Sequence, residues 1–560
     1  MSSNGRESTE PGGTPRPLHF ARVYQLLLTR KYLLSKIMPL LAAIAVLLCT
    51  GTVMLVWSVM GGFLETLLRD GRAIQGDIKI SWPIAGFAHY EDLIAELEKR
   101  PEIEAAAPVV ETLGVLRLPD SRIKTVSVVG IDGPRYAKVT SYEDCLWWRP
   151  ITPEQQNPKD YEGDDHRLEP LSRLMRLVDG SGMSDADVRA ALLKTWEAML
   201  DDGMTLSERD AVTGNPVPAM VVGIEVTGFN VRKPGGWYQP GLVDQRLPDG
   251  TERQVAEFLP SRKLVLSLIP TDESGNILEV ETREVPVANE FRSGAYMIDS
   301  GTVFLDLAHV QTLLRMNEAT SYEVNLAEPW APRRVRGVIP ARVTSVVVRA
   351  AKGATLDIPS EKNGKRGGTA VAACREAYEA FAERHEGEVP SAKSIDIKTW
   401  EEQNMIFVSQ VQKETVMVML VFGIISISSV FLVLSIFWAM ISEKTRDIGV
   451  IRSLGAGGMS IAGLWMTYGL LLGVLGSGLG TATAMLMVHY INPIHDWLGN
   501  AMGVQVWDPA VYYFTRIPNT IDPMKASVIF VSGVLVSVLG SAWPAVRAAL
   551  MDPVRALRYE

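Results

Sequence analysis

Residues 415–442 read TVMVMLVFGIISISSVFLVLSIFWAMIS, and residues 443–456 continue EKTRDIGVIRSLGA. The first stretch carries no charge between Glu414 and Glu443. A helix crossing a bilayer needs roughly 20 apolar residues, because an unpaired ion in hydrocarbon costs several kcal/mol. The second stretch turns at once to alternating charge. An apolar span followed at once by a short charged connector marks a helix that leaves the bilayer and turns back. Three more uncharged windows pass the same test: 37–64 between Lys36 and Glu65, 453–488 between Arg452 and His489, and 526–546 between Lys525 and Arg547. All are too long for ordinary buried helices of a soluble domain. The first begins after Lys36, greatly exceeds a leader's apolar core of about 7 to 15 residues, and has no small-residue cleavage site in Val59–Phe63, so it reads as a retained span. The expected fold class is membrane α-helical: four transmembrane helices in a 1+3 arrangement, at 37–61, 415–441, 460–488 and 526–547. A large extracytoplasmic α+β domain is inserted between the first and second spans.

Charge sets the orientation. Residues 1–36 carry six Lys or Arg against two acids; the connector carries Lys444, Arg446 and Arg452 against Glu443 and Asp447; the tail carries Arg547, Arg555 and Arg558 against Asp552 and Glu560. The whole chain of 560 residues is −9, so the excess acid lies in residues 62–414. Basic residues favour the cytoplasmic side. Both termini and the connector are expected inside, and 62–414 and 489–525 outside. The acidic balance argues against a dedicated nucleic-acid binder. The 13 Trp and a charged fraction of 21% argue against a disordered chain.

Residues 1–17 read as a disordered tail, and 18–36 as an amphipathic helix on the cytoplasmic membrane surface or a plain extension of the first span. In the outer segment, strand patterns occur at Asp77–Trp82, Val109–Leu118, Lys124–Ile131, Ala219–Val226, Lys263–Ile269, Ile277–Val287 and Arg342–Arg349. Helical patterns occur at Glu91–Lys99, Leu307–Met316 and Val371–Arg384. This suggests one small α+β unit, an acidic insert at 141–215 with a helix over 185–200 capped by Ser184, a second α+β stretch, and a loop at Glu361–Gly368. From Ile397 to Ile441 there is no Pro and Gly423 is the only Gly, so one helix is expected to run from the outer domain into the second span; the first span likewise continues through Phe63–Arg69. These would be stalks. Of three cysteines only Cys145 and Cys374 could pair outside, which is no disulfide scaffold.

Nucleotide chemistry is missing. Gly71 and Gly76 have phosphate-loop spacing, but Asp77 stands where a lysine is needed; Gly364-Lys365 has Pro359 in place of the first glycine. No paired-Cys, H-E-x-x-H or G-x-S-x-G pattern occurs, so no metal site is expected and the seven histidines read as scattered surface residues. The connector, 442–457, reads as a helix with a buried-type face of Ile448, Ile451 and Leu454 that stops at Gly455; a solvated loop is the bland alternative. Small residues recur at Gly469, Gly473, Gly476 and Gly480 in the third span and at Gly533 and Ser537 in the fourth. They suit close helix contact, within one chain or between two.

Several segments together resemble the FtsX/MacB-type ABC permeases, most closely the lipoprotein-releasing (Lol) permeases. They are Phe20–Arg22 with Ser58–Phe63 (Gly61 standing where an Asn is usual), Phe291–Asp299, Thr399–Asn404 with Glu414, Ser442–Ala456 and Pro553–Glu560. The 141–215 insert and the loop near 361–368 have no counterpart in the family. The resemblance implies a non-catalytic subunit in the bacterial inner membrane. Its coupling helix would be Glu443, Lys444, Arg446, Asp447, Ile448, Gly449, Ile451, Arg452, Leu454 and Gly455, docking a separate cytoplasmic ABC ATPase that binds ATP and Mg. A second permease chain, identical or not, completes the machine, with membrane lipid around it. A periplasmic lipoprotein carrier would be recruited by a hook, about where Val255–Lys263 lies. For a lipoprotein substrate, Met54, Trp57, Met60 and Phe63 are candidates for the acyl-chain cavity. Alternatives are MacB-like export of amphiphiles and FtsX-like signalling to an outside enzyme.

Overall fold

The computed structural model describes residues 37–557 apart from 84, 151–184, 211, 233–237, 247–251, 257–258, 260–261, 271–277, 324–333, 357–367 and 503–516. The tail, the 18–36 helix, Ser184 and all but the last residue of the 361–368 loop lie outside the described residues. Four described helices are long and apolar enough to cross a membrane: Ile37–Gln75, Met405–Glu443, Gly458–His489 and Pro523–Ala549. A mixed sheet-containing region lies between the first and second of them in the chain. The chain divides between 63 and 64, 410 and 411, 494 and 495, and 517 and 518 into two compact units, one helical and one built on a sheet.

The helical unit is organised by its third span. A Cβ at Gly476 would sit 2.9 Å from the Ala43 carbonyl oxygen, and one at Gly480 2.6 Å from that of Leu47, so the first span lies directly on these glycines. Gly469 and Gly473 face Ser541 and Ser537 of the fourth span just as closely. The buried Ser537 hydroxyl donates to the Gly469 carbonyl at 2.8 Å, satisfying a polar group where no water competes. Gly533 meets Ser477 and Thr50, and Gly540 meets Val433 of the second span. These glycines make contacts inside one chain. The fourth helix starts where Asp522 accepts from the Met524 and Lys525 amides, with Pro523 in the first turn. The stretch expected as a loop at 489–525 includes a helix, Ile491–Met502.

The sheet unit is built on nine strands: β1 Ile78–Ser81, β2 Ile103–Arg117, β3 Ile123–Ile131, β4 Met220–Gly223, β5 Lys263–Leu268, β6 Glu281–Phe291, β7 Thr302–Asp306, β8 Ser345–Ala350 and β9 Asp396–Thr399. Their order is β5-β6-β4-β7-β3-β2-β8-β1-β9. Two successive α+β stretches were expected; the strands of both join one sheet instead. The long β2 makes this possible. Its first half pairs with β8 from Ile103↔Ala350 to Val109↔Ser345, while its second half pairs with β3 and, over Gly114–Arg117, with β5. That last pairing closes six strands into a ring without a free edge.

Alternation along the strands sends Val110 and Val128 into one core and Val109 and Val129 into another. Helices Tyr90–Leu97, Leu307–Leu313 and Thr369–Arg384 cover the first; Gly133–Val139, Tyr142–Cys145 and Asp185–Thr205 cover the second. Cys374 belongs to the first core and Cys145 packs on the second, and no disulfide joins them. The ends of the acidic insert are core rather than insertion: Tyr142, Trp148 and Trp196 are fully buried, and Leu146 bridges to Phe291.

The single helix expected from Ile397 is also corrected. Residues 396–399 are strand β9, paired with β1. Thr399 then opens a four-residue helix through a capping box with Glu402, and the chain breaks at Asn404 before the second-span helix begins at Met405. Where a sheet partner and a capping box both compete for these backbone groups, continuous helix loses.

Candidate functional site

A cavity of about 250 Å³ lies among the first, second and fourth spans of the helical unit. Cys49, Val53, Trp57 and Met60 line it from the first span, at a helical spacing that keeps them on one face. Thr415, Met419, Phe422 and Ser426 do so from the second, Val528, Ser532 and Val536 from the fourth. Cys49 Sγ lies 3.7 Å from Ser426 Oγ across it. Of the residues expected in a substrate cavity, Trp57 and Met60 are in this wall. Met54 is not; it is buried behind the wall in a packed cluster with Ala484, Ala526 and Ile529, of which Ile529 also lines the cavity. Phe63 is half-buried and does not line the cavity. The second- and fourth-span walls were missed by sequence reading, although 415, 419, 422 and 426 form an i, i+4, i+7, i+11 stripe that could have flagged them.

The connector is a helix over Thr445–Ser453, set off from the second span at Lys444. Its faces are unequal. Ile448 and Gly449 are buried, and a Cβ at Gly449 would stand 2.9 Å from the Ala556 Cβ of the short tail helix Pro553–Leu557. The Arg452 guanidinium donates to the Met551 carbonyl. Lys444 pairs with Asp447 at 2.8 Å along the helix. One face therefore grips the chain's own tail. The other presents Glu443, Arg446, Val450, Ser453 and Leu454 to the outside. Leu454, expected on the buried face with Ile448, is 83% exposed and Val450 44%; Ile451 is half-buried. Gly455 ends the turn in the left-handed conformation (φ 97°), its amide donating to the Arg452 carbonyl. Arg547, in the last turn of the fourth span, stacks on Trp438 of the second span at 3.8 Å from the ring centroid.

In the sheet unit, the two chain segments that lead from and to the spans are pinned together. Gly71 lies under Trp400, with room for no side chain. The Trp400 indole donates to Gln75 at 2.9 Å, and Arg72 pairs with Glu401. The Phe291–Asp299 segment owes its shape to Asp299, whose buried carboxylate accepts from the Ser293 amide and hydroxyl and the Gly294 amide. Burial pushes Asp299 up to about 6 despite those bonds. Glu290 is likewise buried, holding Trp148 Nε1 at 2.8 Å and Asn230 at 2.7 Å, and is pushed up to about 7. The expectation of scattered histidines fails at one place: His89 and His385 stack with ring centroids 4.3 Å apart. Of Val255–Lys263, the place given for a hook, Val255 and Ala256 end the strand Glu252–Ala256, paired antiparallel with Leu242–Arg246, and Lys263 begins β5; residues 257–258 and 260–261 lie outside the described residues.

Residues 419–553, the last three spans with the connector, match the family described as FtsX-like permease C-terminal. The chain is similar to the lipoprotein-releasing system transmembrane protein LolC of Xylella fastidiosa, 24% identical over 164 residues, 29% of this chain and 40% of the relative. It is similar to LolC of Neisseria meningitidis, 24% over 174 residues (31% and 42%), and to LolE of Haemophilus influenzae, 24% over 127 residues (23% and 30%). These alignments span about two fifths or less of the relatives' length. The resemblance to FtsX-type and lipoprotein-releasing permeases is borne out, at modest identity over about 30% of the chain.

Proposed function

We propose that this chain is the non-catalytic membrane subunit of an ABC transporter that extracts lipid-anchored proteins from the outer leaflet of a bacterial inner membrane. Both termini and the connector lie in the cytoplasm and the sheet domain outside. A separate ATPase, carrying ATP and Mg, docks on helix Thr445–Ser453. The observation that carries the reading is the division of labour on that helix: Ile448 is buried in the core between the spans, and Gly449 and Arg452 are held by the chain's own tail, which leaves Arg446, Val450 and Leu454 at one helical spacing for a partner. A solvated loop would have no reason to fix one face and offer apolar groups on the other. The family match covers the same residues.

The substrate class follows from the cavity. Its volume of about 250 Å³ falls short of the roughly 300–1,000 Å³ typical of small-molecule sites. Its walls are aliphatic, aromatic and sulfur-bearing with a few hydroxyls, which suits part of an acyl chain and not a charged headgroup. Similarity to LolC and LolE points the same way. Only 11% of the second span's apolar window is buried within the chain, against 44% of the third. The second span thus has the most surface left for lipid or for a second permease chain.

The test uses exposed positions, because Gly449 is packed and its replacement would disturb the fold. Val450→Glu with Leu454→Glu is expected to abolish co-purification of the ATPase while gel-filtration behaviour stays unchanged; capture at the wild-type level refutes the docking assignment. In vesicles reconstituted with the ATPase, ATP should release a triacylated lipoprotein. ATP-driven release of soluble amphiphiles with none of the lipoprotein would favour export instead.

A further inference from the structure

The histidine pair has no part in the reading above. His89 is the N-cap residue of helix Tyr90–Leu97, in the left-handed conformation (φ 57°), and its side chain does not cap that helix. His385 is the C-cap residue of helix Thr369–Arg384. Two helix ends far apart in sequence thus bring two imidazoles into a stack, with planes 13° apart. Each ring meets a different carboxylate. His89 Nε2 lies 2.8 Å from Glu388 Oε2, and His385 Nε2 lies 3.1 Å from Asp92 Oδ2. Glu388 also reaches to 4.0 Å from His385 Nδ1. One donor atom from each of His89, Asp92 and His385 falls within 4.8 Å of the other two.

Two separate surface ion pairs would each contribute about 0–1 kcal/mol and give no reason for two imidazoles and a carboxylate to gather their donor atoms within 4.8 Å of one another. A shared cation does. We propose that His89, His385 and Asp92, with Glu388 as the fourth donor, form a site for a divalent transition ion of the zinc type. Two imidazole nitrogens exclude magnesium and calcium as the natural occupants, since those ions take oxygen ligands. Two carboxylates balance a dication. Zinc bonds of about 2.0–2.2 Å place tetrahedral ligands roughly 3.4 Å apart, so the donors of His89, Asp92 and His385, which lie within 4.8 Å of one another, close in by at most about 1.4 Å. These side chains are 18% to 65% exposed, free to make that rotation without repacking a core. The ion takes the place of the hydrogen bond in each histidine–carboxylate contact.

Occupancy would clip the start of one helix to the end of the other. Both cover the same side of the sheet. An ion that binds only the folded domain stabilises it by mass action, and a clip closing so long a loop opposes much chain entropy. The inference is independent of the transport reading.

The experiment uses the full-length protein in detergent, free of any histidine tag. Cobalt(II) titration should give a saturable tetrahedral visible band with one equivalent, zinc should displace it, and zinc should raise the unfolding midpoint of the sheet domain. His89→Ala with His385→Ala should lose the band and the zinc-dependent shift. The near-isosteric pair Asp92→Asn with Glu388→Gln, which keeps the rings in place, should bind zinc at least tenfold more weakly. A wild-type protein without saturable cobalt binding, a double-histidine variant that binds as well as wild type, or displacement by magnesium as effective as by zinc would each overturn the proposal.

Discussion

At the scale of single residues, two opposing terms meet at Gly71. In an exposed helix Gly→Ala gains up to about 1 kcal/mol. Here the new methyl would stand 2.1 Å from the Trp400 ring, which is buried and held by Gln75, and overpacking costs typically 1–3 kcal/mol. Gly71→Ala should therefore destabilise the sheet domain by about 1–2 kcal/mol in chemical denaturation; a stabilised variant would show that the indole yields freely. Glu290 makes a prediction in pH. Burial lifts it to about 7, so the folded state holds the proton more tightly than the unfolded chain. Its contribution is fully present below the ordinary carboxylate range and is lost as pH rises towards 7. Between pH 5 and pH 8 the wild-type unfolding midpoint should fall, and Glu290→Gln should remove part of the fall, on the order of 2 kcal/mol. Asp299, raised to about 6, keeps the remainder in the same direction. An unchanged pH drop in the Gln variant would mean that Glu290 ionises freely when folded.

Among elements, the spans pack through glycine, but not through every glycine. A Cβ at Gly469 would meet Ser541 Oγ at 2.1 Å, whereas one at Gly463, two turns earlier, would have nothing within 4 Å. Gly469→Ala should lower the thermal midpoint in detergent by several degrees and Gly463→Ala should leave it unchanged or raised. Equal effects would show that helix propensity, and not interhelical contact, governs this span. The cavity allows a test of the proposed function that spares the connector: on that proposal, Ser426→Phe should fill the space beside Cys49 and stop lipoprotein release without loss of ATPase capture. Release at the wild-type rate would exclude the cavity from the substrate path. The connector itself was legible in outline, since alternating charge, a 3.6-residue period and Gly455 mark a short amphipathic helix. Which side faces the chain was not. Leu454 matches Ile448 in hydrophobicity, and only the packing of the connector on the spans, which buries Ile448 beside Phe437 and Ala545 and sets Gly449 against Ala556, determines that one is buried and the other is not.

For the whole molecule, the four uncharged windows, their 1+3 spacing and the mixed α/β character between the first two could be read directly, because solvation in hydrocarbon is a local property of about 20 consecutive residues. Strand positions such as Lys263–Leu268 and Ile123–Ile131 were equally plain from alternation and β-branched content. Partnership was beyond that reach. Nothing local in Ile103–Arg117 says that one strand will pair with β8 at one end and with β3 and β5 at the other, uniting two apparent subdomains in a single sheet. The same holds for the break at Asn404, which β9 and the Thr399 capping box impose, and for His89 and His385, which meet only because two helix ends converge. Which segments avoid water and which alternate is legible residue by residue, since each side chain's transfer energy is its own. Which of those segments touch is settled only in the folded chain, because pairing energy belongs to two distant stretches at once and is written in neither.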